Sequence, residues 1–340
     1  MLTEKFNYNL PKELIAQKPV RPRDHSRLMV IERKGSKIQH RHFYDLPEFL
    51  KPGDVLVFNQ SKVFKARIFG KLESGGANIE IFLLNRAGHT WRALAQPGKK
   101  LKEGGRIIFK KGLRAEVASK DAEGIIQIRF NKTDKELLKI LSQIGTVPTP
   151  PYIKSAPKRL ADYQTVYAKD MGSVAAPTAG FHFTKPFLKK LKTAGVQTEF
   201  LTLHVGLGTF RPIKSEKIEA HKMHSEFVSL DLQVAKRLNQ AKREGRRIIA
   251  VGTTTVRALE GIAKKKHGLK SFQGQVNLFI APGFKFKIID AMLTNFHLPK
   301  STLLVLVSAF VGRDKILKAY RQAVKKKYRF YSFGDAMLVM

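Results

Sequence analysis

The polar residues able to move a proton or hold an anion crowd between Gly172 and Glu226, in the words GSVAAPTAGFHFT, TLHVGLGTFRP and EKIEAHKMHSE. Four of the ten histidines fall there: His182, His204, His221 and His224. Histidine titrates nearest neutrality, so it is the usual proton carrier in such a stretch. Gly and Ala around His182 and His204 let backbone approach a ligand, while Thr178, Thr184 and Thr209 add hydroxyls. Together these words have the character of a pocket wall. Taken singly, each histidine fits a hydrogen-bonded structural role in a glycine-shaped turn.

Two further segments carry chemistry. In AVGTTTVRALEG a strand ends at Gly252 and a helix begins among Thr253, Thr254 and Thr255, which offers backbone N–H groups and hydroxyls to a carboxylate or phosphate, with Arg257 one turn in. Ordinary N-capping by Thr253 or Thr254 accounts for the same hydroxyls. DAMLTNFHLPKSTLLVLVSAF reads as a strand, a polar loop holding Asn295 and His297, and an almost wholly apolar helix capped by Ser301. A loop clamped between buried elements suits a group that must be held in place. VGLGTF, with Gly206 and Gly208 after a strand, only imitates a dinucleotide fingerprint, because Arg211 stands where the third glycine belongs. His221 and His224 lack the HExxH spacing of a zinc site, and there is no Walker loop and no GxSxG.

The elements that must position these residues divide the chain in two. From Val55 to Phe130 short alternating runs (VLVFN, ARIFGKL, NIEIFLL, TWRALA, RIIFKK, RAEVAS, IIQIRF) recur between glycine-bearing or charged turns, which predicts a small antiparallel barrel or sandwich, with the strand VLVFN and the N-terminal FNYNLPKELIA going to the other half. A helix over 135–144 and the proline-stiffened TVPTPPYI close that block. Strands then alternate with amphipathic helices: Thr184 caps one, 196–205 is extended, Asp231 opens another that ends at Gly245, and RRIIAVG is a strand. The expectation is an α/β domain with an inserted antiparallel β-barrel domain, residues 1–62 plus 148–340 forming the α/β catalytic domain and 63–147 the insertion.

Composition narrows the partners. The 340 residues hold 63 Lys+Arg against 27 Asp+Glu, a formal charge of +36, while 43% hydrophobic content with 23 Phe requires a folded core. Such a surface attracts polyanions, nucleic acid first, although a lysine-rich proteome produces the same excess without a ligand. The triplets Lys264–Lys266 and Lys325–Lys327 sit at helix ends, where the dipole favours cations. Zero Cys excludes disulfides, thiolate metal sites and cysteine nucleophiles. The N-terminal MLTEKFNYNLPKE has no signal-peptide pattern and the apolar run 301–311 is too short to span a bilayer, so a cytoplasmic protein without membrane attachment is expected.

FNYNLPKELIAQ with RDHSRLMV, YQTVYAKDMGSVAAPTAGFHFT, TLHVGLGTFRPI, HKMHSE, VGTTTVRALE, TNFHLPKSTLLVLVSAFVG and YRFYSFGDAML closely resemble, end to end, the S-adenosylmethionine:tRNA ribosyltransferase-isomerases of queuosine biosynthesis. The resemblance implies that S-adenosylmethionine is a co-substrate, no metal being expected. Its ribosyl group would go to 7-aminomethyl-7-deazaguanine at the tRNA wobble position, giving epoxyqueuosine with release of adenine and methionine. Carried onto the matched positions, it makes His204, His297 and His182 the catalytic candidates. Thr178, Gly206, Gly208, Thr209, Arg211, Thr253, Thr254, Arg257 and Asn295 become candidate substrate-binding residues, and Arg67 and Arg211 candidate contacts to tRNA phosphate. A monomer is expected.

The chain departs from the family where FNQSKVFKARI replaces a segment usually reading FNDTRVIPARL, so Gln60, Lys62 and Lys65 stand for an acid, an Arg and a Pro. Ala161 also stands where an acid is common. Two other classes compete with the enzyme reading: a non-catalytic basic RNA-binding protein, and an S-adenosylmethionine-dependent RNA methyltransferase. Products separate them, because methyl transfer leaves S-adenosylhomocysteine whereas ribosyl transfer frees adenine.

Overall fold

The computed structural model describes residues 1–154, 157, 159–206 and 212–340. In its first half the chain forms β1 (Arg27–Ile31), β2 (Ile38–His42), β3 (Val55–Asn59), β4 (Ser61–Val63), β5 (Arg67–Leu72), β6 (Asn78–Ala87), β7 (Thr90–Gln96), β8 (Arg106–Phe109), β9 (Arg114–Lys120), β10 (Ile126–Phe130) and α1 (Asp134–Ile144). There follow β11 (Asp170–Ser173), α2 (Lys185–Thr193), β12 (Gln197–Leu203), β13 (Glu226–Leu230), α3 (Leu232–Arg243), β14 (Ile248–Val251), α4 (Thr253–Lys266), β15 (Phe272–Val276), β16 (Ala291–Asn295), α5 (Thr302–Val311), α6 (Arg313–Lys325) and β17 (Ala336–Val339). Among the described residues no helix is long and apolar enough to cross a membrane.

Two compact units result. One holds Met1–Ser61, Thr165–Ala168 and Pro177–Met340, the other Lys62–Gln164 and Lys169–Ala176. The sequence assigns Lys62 and 148–176 to the α/β half; in the structure Lys62, the described residues of 148–164 and Lys169–Ala176 group with the second unit. That unit contains a closed antiparallel barrel, β10-β7-β6-β5-β8-β9, built from the six alternating runs. Strand β9 is typical, with Ala115 and Val117 buried and Arg114 and Glu116 exposed, the alternation that a pleated ribbon with one buried face imposes. Thr133 caps α1 and Glu136 closes the reciprocal bond to the Thr133 N–H.

The first unit is a nine-stranded mixed sheet in the order β15-β13-β12-β3-β14-β16-β17-β1-β2. Its centre, β12-β3-β14-β16, is parallel. Strands β3 and β16 are buried at every position, as continuous apolar runs covered on both faces must be. Leu28, Leu56, Phe58, Val251 and Leu293 face a core shared with Phe43, Phe183 and the α2 residues Phe187 and Leu191. The α/β domain with an inserted antiparallel barrel, expected from pattern and resemblance, is the architecture observed.

Strand direction decides where chemistry can gather. Parallel β12, β3, β14 and β16 end on one edge of the sheet, and side chains beyond their carboxyl ends are released from ladder duty. The antiparallel neighbours deliver their starts to that same edge: Glu226 opens β13 opposite the end of β12, and Ala336 opens β17 opposite Asn295. Parallel pairing of β1 with β17 brings Ser26, just before β1, to it as well.

Candidate active site

Most of the unit's buried polar side chains that the sequence singles out lie along this carboxyl edge. Asn59 ends β3 and stitches it to β12, its amide donating to the Leu203 carbonyl (2.9 Å) and its Oδ1 accepting from the Leu203 N–H (3.0 Å). His204 follows β12 half-buried, its N–H bonded to the Phe227 carbonyl (3.0 Å) and its ring stacked on Phe227 at 5.5 Å. Across the edge, β12 and β16 stand three strands apart, about 14 Å at the usual strand spacing.

Glycine makes the turn from β14 into α4. Gly252 occupies the N-cap with φ of 92°, a conformation costly for any residue with a Cβ, and no side chain caps the helix. Neither Thr253 nor Thr254 caps α4, which corrects that part of the sequence reading; Thr255 instead bonds back to the Val251 carbonyl at 2.7 Å. Thr253 and Thr254 are buried beside the uncapped first turn.

Arg257 is not the freely offered cation that its place in the sequence implies. Its Nη1 pairs with Glu226 at 2.5 Å and its Nε donates to the Leu278 carbonyl at 3.1 Å, both side chains only 3% exposed. The other Glu226 oxygen accepts the Gly206 N–H at 3.1 Å. A buried guanidinium needs such a carboxylate, because an unpaired charge in that setting is prohibitive. One atom stays available: Arg257 Nη2 is buried and has no hydrogen-bond partner among the described residues.

His182 and His297 occupy the other half of the edge. His182 closes a short 3-10 segment, Thr178–His182, in which Thr178 is half-buried. A Cβ on Gly180 would fall 1.8 Å from the Tyr167 hydroxyl, so this packing accepts only glycine. The His182 ring meets Ser26 Oγ through Nδ1 (2.7 Å) and the Asn295 amide through Nε2 (3.3 Å). Asn295 ends β16 rather than lying in the following loop. His297 bonds Thr294 through Nε2 (3.0 Å), its N–H donates to the Tyr320 hydroxyl (2.9 Å), and its carbonyl accepts from Tyr8 (2.5 Å). Burial lowers both imidazoles to about 3, assisted at His182 by the nearby Arg23 and Arg329 charges. Both rings are neutral at physiological pH.

The structure thus joins His182 and Asn295 directly, places His297 two residues beyond, and sets His204 with Gly206 farther along the same edge. Gly208, Thr209 and Arg211 lie outside the described residues. Arg67, in the barrel, has Nε 3.5 Å from Glu80 and its guanidinium over the Phe82 ring. The departures at 60 and 65 are accommodated locally, Gln60 reaching Thr202 Oγ1 (3.5 Å) and Lys65 the Ser142 carbonyl (2.8 Å). Sequence reasoning did not single out Ser26, Asn59, Tyr8 or Tyr320, and did not pair Glu226 with Arg257. Ser26 and Tyr8 do lie in the words RDHSRLMV and FNYNLPKE, which mark their importance but not their partners. Among the described residues no group of three or more His, Asp or Glu is arranged to hold a metal.

A profile of the family described as "Queuosine biosynthesis protein" matches residues 3–339. The chain belongs to this family. Among the relatives it resembles is the S-adenosylmethionine:tRNA ribosyltransferase-isomerase of Moorella thermoacetica, 50% identical over 342 residues with both chains fully covered. The same-named protein of Thermotoga maritima is 49% identical over 341 residues, again across the whole of each chain. The crystal structure of the Thermotoga maritima S-adenosylmethionine tRNA ribosyltransferase superposes with a TM-score of 0.59 and 40% identity, covering 99% of this chain and 100% of that one. Like these family members, the chain is an enzyme, a transferase-isomerase of queuosine biosynthesis.

Proposed function

We propose that the enzyme transfers and isomerises the ribosyl moiety of S-adenosylmethionine onto 7-aminomethyl-7-deazaguanine at the tRNA wobble position, yielding epoxyqueuosine-tRNA, adenine and methionine. One observation carries the reading: the words TAGFH, TLHVG, VGTTTVR and TNFHLPKS, which the family resemblance selects, converge on a single carboxyl edge of the parallel strands.

The positive sulfur acidifies the ribose C5′ proton, and a histidine removes it. Adenine then leaves, the amine of the modified base attacks, and the carbons close to a cyclopentane epoxide as methionine departs. His204 and His297 are the candidates to take the proton, with His182 third. The open N–H groups of α4 with Thr253 and Thr254, joined by the unpartnered Arg257 Nη2, suit the methionine carboxylate. Thr178, Asn295 and Gly206 complete the substrate wall; the family resemblance alone assigns Gly208 and Thr209 to substrate and Arg67 and Arg211 to tRNA phosphate.

Incubation with S-adenosylmethionine and tRNA carrying the aminomethyl base should release adenine and methionine in equal amounts. S-adenosylhomocysteine instead would make the chain a methyltransferase, and tRNA binding without turnover a binding protein. Thr254→Phe should raise KM for S-adenosylmethionine; an unchanged KM removes Thr254 from the carboxylate site.

A further inference from the structure

The hydrogen bonds around His182 fix its tautomer. Asn295 Nδ2 lies 3.0 Å from the Tyr331 carbonyl, and a carbonyl only accepts, so the amide must face it with its NH2. The second hydrogen of that NH2 points to His182 Nε2 at 3.3 Å, which makes Nε2 an acceptor. In a neutral imidazole the proton is then on Nδ1, where it donates to Ser26 Oγ at 2.7 Å. Tyr331, whose carbonyl sets this chain of bonds, has φ of 75°, a left-handed conformation rarely adopted by a bulky residue, and the Gly334 N–H donates to the same carbonyl at 2.8 Å. Phe43, fully buried, stacks on the imidazole at 5.0 Å and 25° and holds its plane.

Ser26 is the end of this relay. Its Oγ accepts from His182 and keeps its own proton, and Ser26, His182, Arg23, Phe181 and Ser332 line one small cavity. Resting on the ribosyl-transfer reading above, we propose that His182 is a neutral positioning residue and not the proton acceptor: it gives its Nδ1–H to Ser26 so that the Ser26 hydroxyl donates into the cavity to an acceptor atom of the bound ligand. Asn295, Tyr331 and Phe43 hold His182 in the one tautomer and orientation that do this. The charged groups facing the ring are Arg23 and Arg329, and both oppose its protonation.

Two measurements test the relay. Nitrogen-15 NMR of the wild-type protein should find His182 protonated on Nδ1, bare on Nε2, and not titrating between pH 5 and 8; an Nε2–H tautomer or a titration in that range overturns the proposal. In the adenine-release assay, Ser26→Ala and His182→Ala should each lower kcat/KM about ten- to hundredfold, the scale of one lost directed hydrogen bond, without altering the acid limb of the pH profile. His182→Asn carries an amide where Nδ1 sits and should recover most of the loss, whereas His182→Gln, with its amide at the Nε2 position, should not. Equal failure of both amides together with loss of the acid limb would make His182 the base and sink the relay. Wild-type protein that releases no adenine would instead refute the ribosyl-transfer reading, while the tautomer measurement would still decide the arrangement of His182.

Discussion

The barrel and the carboxyl edge of the large sheet spend buried space in opposite ways. Inside the barrel every buried residue described between Ala66 and Ile128 is apolar, and charge stands outside, as in the alternation of β9. Along the sheet edge Ser26, Asn59, His182, Glu226, Thr253, Arg257, Asn295 and His297 are all nearly sealed from water. Burying polar groups costs free energy unless each finds a partner, and here most do, through Asn59 to Leu203, Glu226 to Arg257 and His182 to Ser26. The exceptions, Arg257 Nη2 and Asn295 Oδ1, are without hydrogen-bond partners among the described residues. On the sealed edge such atoms can be satisfied only by a ligand, whereas the comparable barrel atom, Arg67 Nε, belongs to a partly exposed side chain and lies 3.5 Å from the Glu80 carboxylate.

The largest effect should come from removing one half of the buried ion pair. Glu226→Ala strands Arg257 in the interior and frees the Gly206 N–H, which predicts a loss of about 3–5 kcal/mol in urea unfolding and abolished adenine release. If stability and turnover both survived, the edge would be no more demanding than the barrel. The matched lesion in the barrel is Ile81→Ala, at a fully buried position on β6. It should cost about 2–5 kcal/mol while leaving KM for S-adenosylmethionine unchanged in the fraction that remains folded.

These two regions were also unequally legible in the sequence. Period-two alternation with turn residues between runs reports a half-buried strand locally, so all six barrel strands could be marked from their own residues. The central strands announced themselves as short apolar runs, VLVFN and AMLTN, and Thr184, Asp231 and Ser301 cap the helices expected of them. The edge has no local period. Ser26 and His182 are 156 residues apart, and Arg257 meets Glu226 across 31, so nothing near Arg257 in sequence shows that its charge is already matched. The mistaken cap at α4 has a similar origin: threonine hydroxyls and a left-handed glycine both start helices, and only backbone geometry distinguishes them. The resemblance supplied what pattern did not, selecting the correct stretches without their pairings.

Protonation adds a further consequence of burial at the edge, where the His182 and His297 imidazoles are held neutral. For His297 the folded value is about 3 against an ordinary 6.5. Below pH 6.5 the unfolded chain takes up a proton that the native ring refuses, so stability falls as pH drops from 6.5 toward 3 and is restored as pH rises. His182 behaves the same way. Each ring contributes a slope of up to about 1.4 kcal/mol per pH unit in that window. Replacing His297 by Gln should remove its share of the slope between pH 6 and 4, measured by urea midpoints across pH. A slope identical to wild type would mean that this imidazole is solvated.

The smallest effects come from an identical lesion made in each region. Thr133 and Ser301 both cap helices with a hydroxyl, at 3.5 Å from the Glu136 N–H and 3.2 Å from the Leu304 N–H. Thr133 is exposed, so Thr133→Ala lets water replace the cap and should cost about 0.5–1 kcal/mol with kcat unchanged. Ser301 is 4% exposed and its hydroxyl also donates to the Leu298 carbonyl at 2.7 Å, in the residue after His297. Water cannot readily take its place, so Ser301→Ala should cost about 1–2 kcal/mol, since a cap lost from a buried helix start leaves donors unsatisfied. It should also lower kcat by loosening the His297 loop. Equal stability losses and unaltered turnover in both variants would show that burial at the edge does not hold that loop, and that the histidine is placed by Thr294, Tyr8 and Tyr320 without the cap.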